Sequence, residues 1–490
     1  MMDDLLYTLP VDAHGKPIGP AVKLNDETTD APTWSGDSSQ LLYLHNGALH
    51  LISRATRQIR PVPVSLNYKT AIPEQKILIH VGHFWKGEGP DEQQNVDILI
   101  SNNRIENIAP HSEVAPPAGV RVVDASKLTV LPGLWENHAH PNSHNSIYYG
   151  DRMGRLWLAY GITELRDLAD NAYRAEEERE SFDSGAAIGP RLFPTGEAVD
   201  GERVYYSMMI PTTSEAQLYR ELNRLKALDF DLVKLYVRLP YAWMQKGEVF
   251  AHQEMGVETA SHYLLPAVAF GNDGMSHISA TARTGYAYSR SFTGVSYEDV
   301  RKMLSESGMF TITTLLNMSP YSENQTLPED PRYGVAPPWE LLRLKHARDV
   351  AVKENQADGM QRVKDEEETV AADLHDGGLI VAGTDSPLDL PSSSLHLNLR
   401  MQVKYGLAPW QALETVTVIP AKAYGLTRDL GTLEPGKLAD LIIVSGDPLT
   451  NIDDASKVQC IMKNGELISV SDVAKPFVQL STGTDVCPAP

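Results

Sequence analysis

The chain has 490 residues, of which 42% are hydrophobic and 22% charged. That balance suits a soluble globular protein of two or three domains with a large core. Lys and Arg number 43 against 64 Asp and Glu, a formal charge of −21, which argues against nucleic acid and anionic membrane surfaces as partners. No apolar run reaches the length of a membrane span. Met1-Met2-Asp3-Asp4 has neither the basic nor the apolar region of a signal peptide. The expected location is therefore cytoplasmic for the chain as it stands, and exported if an upstream region is missing. Two cysteines, Cys460 and Cys487, exclude a disulfide framework and a cysteine zinc site but allow one late bridge.

Residues 1–65 read as short strands with turn punctuation, a β-rich extension. Apolar alternation on both sides of His45-Asn46-Gly47 predicts a hairpin. Trp34-Ser35-Gly36-Asp37 ahead of it resembles a blade of a TolB-type β-propeller. One blade cannot bury its own faces, so either the chain is a piece of a longer parent or the blade is a relic; otherwise the segment is a small β-rich extension packed on the main domain. Residues 66–130 are again β-rich, with strands expected at 77–81, 96–100 and 104–108. A similar pattern returns in 425–475, at 439–444 and 458–465, ahead of a tail over 476–490. The two flanks are expected to build one small β-sandwich domain.

The middle, 131–424, alternates strand and helix. Strands are expected at 128–131, 162–168, 191–198, 232–237, 257–262, 275–279, 309–316 and 379–384. Eight such units fit a (β/α)8 TIM barrel within an α/β fold. A doubly wound sheet would want a glycine-rich phosphate turn after an early strand, and none is convincing. The irregular stretch 317–339 is a candidate lid or a surface insertion.

The sharpest local feature is His138-Ala139-His140. Residues i and i+2 share one face of a strand, so two imidazoles can grip one metal ion. The motif alone is weak, and His144 reads as an outer or surface residue. Lys234 sits inside an apolar strand, where an ammonium is costly and burial favours the neutral amine. A snorkelling or ion-paired lysine is the alternative. His262, His277 and Asp385 each end an expected strand, and in a barrel these ends meet at one mouth. Tyr236 follows Lys234 by two residues and shares its face, where a phenol can donate to an oxyanion. Arg238 can clamp a substrate carboxylate. Both are otherwise rim residues, and His252 reads as helix-terminal packing.

Taken together these positions resemble the amidohydrolase superfamily of metal-dependent hydrolases, over about residues 74–475. Pro132-Gly133-Leu134 before His138-x-His140 matches its first-strand signature. Tyr160-Gly161-Ile162-Thr163 with Arg166-Asp167 matches the second strand, and Ala251-His252, Gly256 and His262 match the step into the fifth. Thr417 to Ala421, Gly425, Gly431, Leu433, Gly436-Lys437, Ala439-Asp440-Leu441 and Gly446-Asp447-Pro448 match the more specific C-terminal signature. The style resembles the imidazolonepropionase-like and prolidase-like branch, including members with an N-terminal propeller. Two departures stand out. Glu136 occupies a place usually held by Asp, and Ser276-His277-Ile278-Ser279 replaces a frequent Ile-Glu-His-Gly.

The resemblance implies a site. His138, His140 and Asp385 would hold a buried ion, His262 and His277 a second, and carbamylated Lys234 would bridge them. Imidazole and carboxylate donors suit Zn²⁺, two per chain. Asp385 would also serve as general acid and base. The implied reaction is hydrolysis of a C–N amide bond in a small substrate such as a dipeptide or N-acyl amino acid, by water activated between the ions. A mononuclear deaminase or imidazolonepropionase-type opener of cyclic amides would not use the lysine. A catalytically inactive, propeller-linked binding protein is a third reading, against which the complete ligand set argues. A phosphotriesterase-like reaction uses the same hydroxide. The partners expected are a small amide, with no nucleic acid and no membrane; a homo-oligomer is left open.

Overall fold

A computed structural model of the chain describes residues 3–114, 116, 118–141, 151–278, 291, 296–315, 317–353, 356–388, 390–480 and 487. Turn chemistry shapes its N-terminal part. Asn46 and Gly47 both take left-handed backbone, φ 49° and 82°, as a type I′ hairpin turn requires. They join Gln40–His45 to Ala48–Ser53, which pair from Gln40 opposite Ser53 to His45 opposite Ala48. Asp30–Trp34 and Ile59–Val62 complete a four-stranded antiparallel sheet. Leu41, Tyr43 and Ile52 on its buried face pack with Leu6 and Leu24. Ion pairs fasten this extension to the middle region. Arg224, 2% exposed, lies 3.3 Å from Asp30, 2.9 Å from Glu197 and 3.0 Å from Glu221. Arg220 meets Asp4 at 2.7 Å.

A seven-stranded mixed sheet takes strands from both flanks. Its order is Glu466–Ser469, Val458–Lys463, Leu441–Val444, Val120–Pro132, Lys76–Trp85, Glu92–Ser101 and Arg104–Pro110. Val120–Pro132 runs parallel to Lys76–Trp85 and antiparallel to Leu441–Val444. Alternation decides its faces: Ile77, Ile79, Val81, Val96, Ile98 and Ile100 point into a core shared with Leu441 and Ile443. Cys460 and Cys487 are joined by a disulfide.

Residues 128–131 are not the first strand of the middle region; they end Val120–Pro132 in this mixed sheet. The first middle strand is Leu134–Ala139, which pairs parallel with Ile162–Asp167. The apolar run continues through the break at Pro132-Gly133, so hydrophobicity alone does not reveal it. Gly133 is needed there because a Cβ would fall 1.7 Å from Thr163 Oγ1.

Parallel strands and helices then alternate, giving a mixed α/β fold. Leu134–Ala139, Ile162–Asp167 and Arg191–Phe193 form one run. Ala198–Asp200, Leu232–Leu235, Glu258–Ser261, Gly274–Ser276, Phe310–Thr314 and Leu379–Gly383 form a second, with Met209–Pro211 at its edge. The strand expected over 191–198 is thus interrupted between Phe193 and Ala198. Leu134–Ala139 and Ile162–Asp167 are buried at every position, as parallel strands covered on both faces must be. A parallel bridge between Ala139 and Ser386 links the first strand to the residues after the last.

Residues 317–339 are packed rather than open. They contain the short 3-10 turns Ser319–Ser322, Leu327–Glu329 and Pro331–Gly334. Tyr321, Tyr333 and Val335 are buried with Leu156 and Tyr160. Arg332 donates to the carbonyls of Ala159 at 3.1 Å and Ser456 at 2.8 Å. No described helix is long and apolar enough to cross a membrane.

Arg224 supplies the counter-charge for two buried glutamates, so its removal leaves them uncompensated. Arg224→Ala is expected to lose about 3–5 kcal/mol of stability, read from denaturant unfolding; a loss inside the scatter of ordinary surface substitutions would contradict the buried network.

Candidate metal centre

Imidazoles from separate strand ends surround one carboxylate. His138 lies in Leu134–Ala139 and His140 just past it, while Asp385 follows Leu379–Gly383. The backbone welds these two ends together: Asp385 N donates to His138 O, and His140 N to Ser386 O, both at 2.7 Å. His277 N donates to Ile312 O at 2.9 Å on the neighbouring strand. Asp385 and His277 carry φ of 58° and 67°, a conformation that non-glycine residues keep only when their surroundings hold them in it. Asp385 Oδ1 lies 3.4 Å from His138 Nε2 and 3.0 Å from His140 Nε2. Its Oδ2 lies 3.6 Å from His277 Nε2. The rings of His262 and His277 are 4.6 Å apart, and that of Tyr236 is 4.7 Å from His262. Lys234, from Leu232–Leu235, is buried and hydrogen-bonds Ser276 Oγ.

Burial and one anion decide the charges. Burial pushes His138 and His262 well below the ordinary histidine value and His277 down to about 4. Burial also pulls His140 down, but its hydrogen bond to Asp385 and that anion's charge outweigh this and raise it. For Asp385 burial works upward, and the neighbouring His138 and His140 overcome it to hold the carboxyl far below its usual range. Desolvation brings Lys234 down to about 7. The imidazoles of His138, His262 and His277, an available amine and an ionised carboxylate form, with His140, a donor set for a borderline divalent ion such as zinc.

Outer contacts orient these groups. His140 Nδ1 is 2.8 Å from Ala169 O, and His277 Nδ1 hydrogen-bonds Thr314 Oγ1. Glu136 Oε1 accepts from His138 N at 3.0 Å and Thr384 N at 2.9 Å. Burial raises the Glu136 carboxyl to about 8. The fit to a metal rests on two observations. The ligand atoms of His138, His140 and Asp385 all lie within 4.8 Å of one another. His138 Nδ1 is buried with no hydrogen-bond partner among the described residues.

Of the residues singled out from sequence, His138, His140, Lys234, Tyr236, His262 and Asp385 line one cavity of about 40 Å³, and His277 faces Asp385 beside it. Arg238 is not brought in. Its guanidinium donates to buried Asp200 at 2.6 Å and its backbone N to the same carboxylate at 2.7 Å. His252 lies elsewhere, 2.7 Å from Asp273, and His144 falls outside the described residues. Residues 317–339 do not line the cavity. The sequence reading missed Leu168, Tyr206, Met208, Met209, Pro387 and Leu388, which supply most of the remaining wall. No motif marks them. It also missed Thr314 and Asp200, though a polar residue closing a buried parallel strand was the available signal.

Gly383 sits behind the centre, where an added Cβ would come 2.7 Å from His138 N. Gly383→Ala therefore displaces His138 relative to Asp385. Copurifying metal, measured by elemental mass spectrometry, is expected to fall at least about tenfold with the circular dichroism retained; unchanged metal content would contradict this placement.

Comparison with known proteins agrees with the geometry. A family model described as the amidohydrolase family matches residues 320–468. Imidazolonepropionase of Pseudomonas putida is 24% identical over 370 residues, covering 71% of this chain and 87% of that protein. An adenine deaminase of Methanosphaera stadtmanae is 36% identical over 89 residues, 18% of this chain and only 15% of that protein. Among solved structures, a Xaa-Pro dipeptidase with methionine in its active site superposes with TM-score 0.62 at 20% identity, covering 81% of this chain and all of that one. With the C-terminal signature and the gathered strand-end ligands, these matches make the chain similar to the amidohydrolase family over residues 320–468 and to imidazolonepropionase over most of its length.

Proposed function

We propose that the protein is a binuclear zinc amidohydrolase that cleaves the amide bond of a small substrate such as a dipeptide or N-acyl amino acid. The observation that carries this reading is Lys234. Its amine is fully buried at the cavity wall with a pKa brought down to about 7 by desolvation, so much of it is neutral near pH 7. A neutral amine can add CO₂ and lose a proton to give a carbamate, whose two oxygens suit a bridge. His138, His140 and Asp385 would hold one ion, His262 and His277 the other. When bound, such ions supply a Lewis acid and lower the pKa of water.

The chain's own residues do the rest. Asp385 is positioned to take a proton from the attacking water and return it to the leaving nitrogen. Burial raises the Tyr236 hydroxyl above its ordinary range, which keeps it protonated as a donor to the tetrahedral oxyanion. Leu168, Met208 and Met209 make that side of the cavity apolar, and excluding water strengthens each polar contact inside. Arg238, committed to Asp200, acts on this reading as a brace for the rim near Tyr236.

The same reading extends to architecture. The two parallel runs are taken as one (β/α)8 barrel over 131–424, supported by the Ala139–Ser386 bridge between its first and last strands. The seven-stranded sheet is taken as the sandwich domain of 66–130 and 425–475, followed by the tail 476–490. The N-terminal four-stranded sheet is taken as a single propeller-type blade. A mononuclear, imidazolonepropionase-like hydrolysis of a cyclic amide is the second reading, favoured by the long match to that enzyme.

Lys234→Ala separates the two. On the binuclear reading kcat/KM toward whichever dipeptide, N-acyl amino acid or cyclic amide the wild type cleaves falls by at least about 100-fold. Retained activity, above all on a cyclic amide, would establish the mononuclear reading instead.

A further inference from the structure

A second group of metal-type ligands lies outside the cavity, on the seven-stranded sheet. His80 belongs to Lys76–Trp85, Asp97 to Glu92–Ser101, and His111 follows the last residue of Arg104–Pro110. The register makes them neighbours. His80 is the direct partner of Asp97, and Asp97 of Ala109, two residues before His111. Ile79 and Val81 on either side of His80 face the core, so His80 faces outward. His80 Nδ1 lies 3.1 Å and His111 Nδ1 2.8 Å from the same oxygen, Asp97 Oδ1. The two imidazole rings are 3.7 Å apart. Ser112 N donates to Asp97 Oδ2 at 3.1 Å, which holds the carboxylate in place. All three side chains are half-buried, at 17%, 11% and 29% exposure, so an ion could enter from solvent yet be partly sheltered.

We propose that His80, Asp97 and His111 form a second zinc site, structural in role, that staples the edge strand Arg104–Pro110 to the two strands inside it. Donor atoms about 2.0–2.1 Å from a tetrahedral zinc sit roughly 3.3 Å from one another, close to the spacings found here. Two imidazoles and one carboxylate leave one position for water, and they select a borderline transition metal over magnesium or calcium. On the other side of His80 its direct partner is Asp124, whose charge adds to a local field that favours a dication. An edge strand presents unpaired backbone groups and is the part of a sheet most prone to fray or mispair. An ion held across three strands opposes that, because binding to the folded state alone stabilises it.

The test uses the enzyme with its catalytic metals in place. Wild type, His111→Ala and Asp97→Asn are equilibrated with buffered Zn²⁺ alone and freed of excess, and zinc is counted by elemental mass spectrometry. His111 lies at the surface end of its strand, so its variant keeps the fold, as circular dichroism checks. The proposal expects one zinc per chain more in wild type than in either variant, a zinc-dependent rise in Tm seen only in wild type, and unchanged turnover in all three. Equal zinc content and equal Tm response in all three would overturn it. Because the readout is a difference between proteins that share the catalytic cavity, it stands whether or not that cavity is binuclear.

Discussion

The cavity depends on one buried anion. Asp385 is 5% exposed, and an ionised carboxylate in such a place costs several kcal/mol unless partners compensate it. Here His138 and His140 at the end of the first strand and His277 after a strand far away in sequence surround it, with His140 hydrogen-bonded to it at 3.0 Å. The carboxylate therefore defines where His138, His140 and His277 must meet. Its left-handed backbone is held by the hydrogen bond from its own N–H to His138 O. Joining the first and last parallel strands and assembling the ligand cluster are thus one structural event. Strain at such a position persists only where the surrounding fold over-determines it.

The rest of the middle region divides labour along each strand. Strand interiors are buried and largely apolar, with Glu136 and His138 among the exceptions, and several polar contacts of the site come from the last residue of a strand or just beyond it. Ser276 holds Lys234, Thr314 holds the His277 ring, and Asp200 holds Arg238. A side chain that leaves the end of a rigid strand has little freedom, so its partner can fix it with one hydrogen bond. Lys234 also projects from within a strand. That is why desolvation, and not a charged partner, governs its chemistry.

Much of this was legible in the sequence, for identifiable reasons. Period-two spacing put His138 and His140 on one side, and apolar runs closing on His262, His277 and Asp385 marked strand ends. Asn46-Gly47 announced its own turn. What stayed hidden depended on tertiary contact. The break at Pro132-Gly133 lies inside one continuous apolar run, and only the close approach of Thr163 explains it. Tyr206, Met208 and Met209 reach the cavity from a connection whose destination no local pattern specifies. Arg238 looked free because Asp200, 38 residues earlier, is its partner only once Ala198–Asp200 and Leu232–Leu235 lie side by side. His80, Asp97 and His111 become a cluster only through strand register.

On the proposed reading two ions share the Asp385 cluster, with Lys234 between them. Anomalous diffraction at the zinc edge, from crystals of zinc-loaded enzyme prepared with bicarbonate, tests it most directly. The account predicts two anomalous peaks in the cavity, one against His138, His140 and Asp385 and one against His262 and His277, with density extending from Lys234 Nζ to both. A single peak with the Lys234 amine still on Ser276, or no peak at these residues, would contradict it.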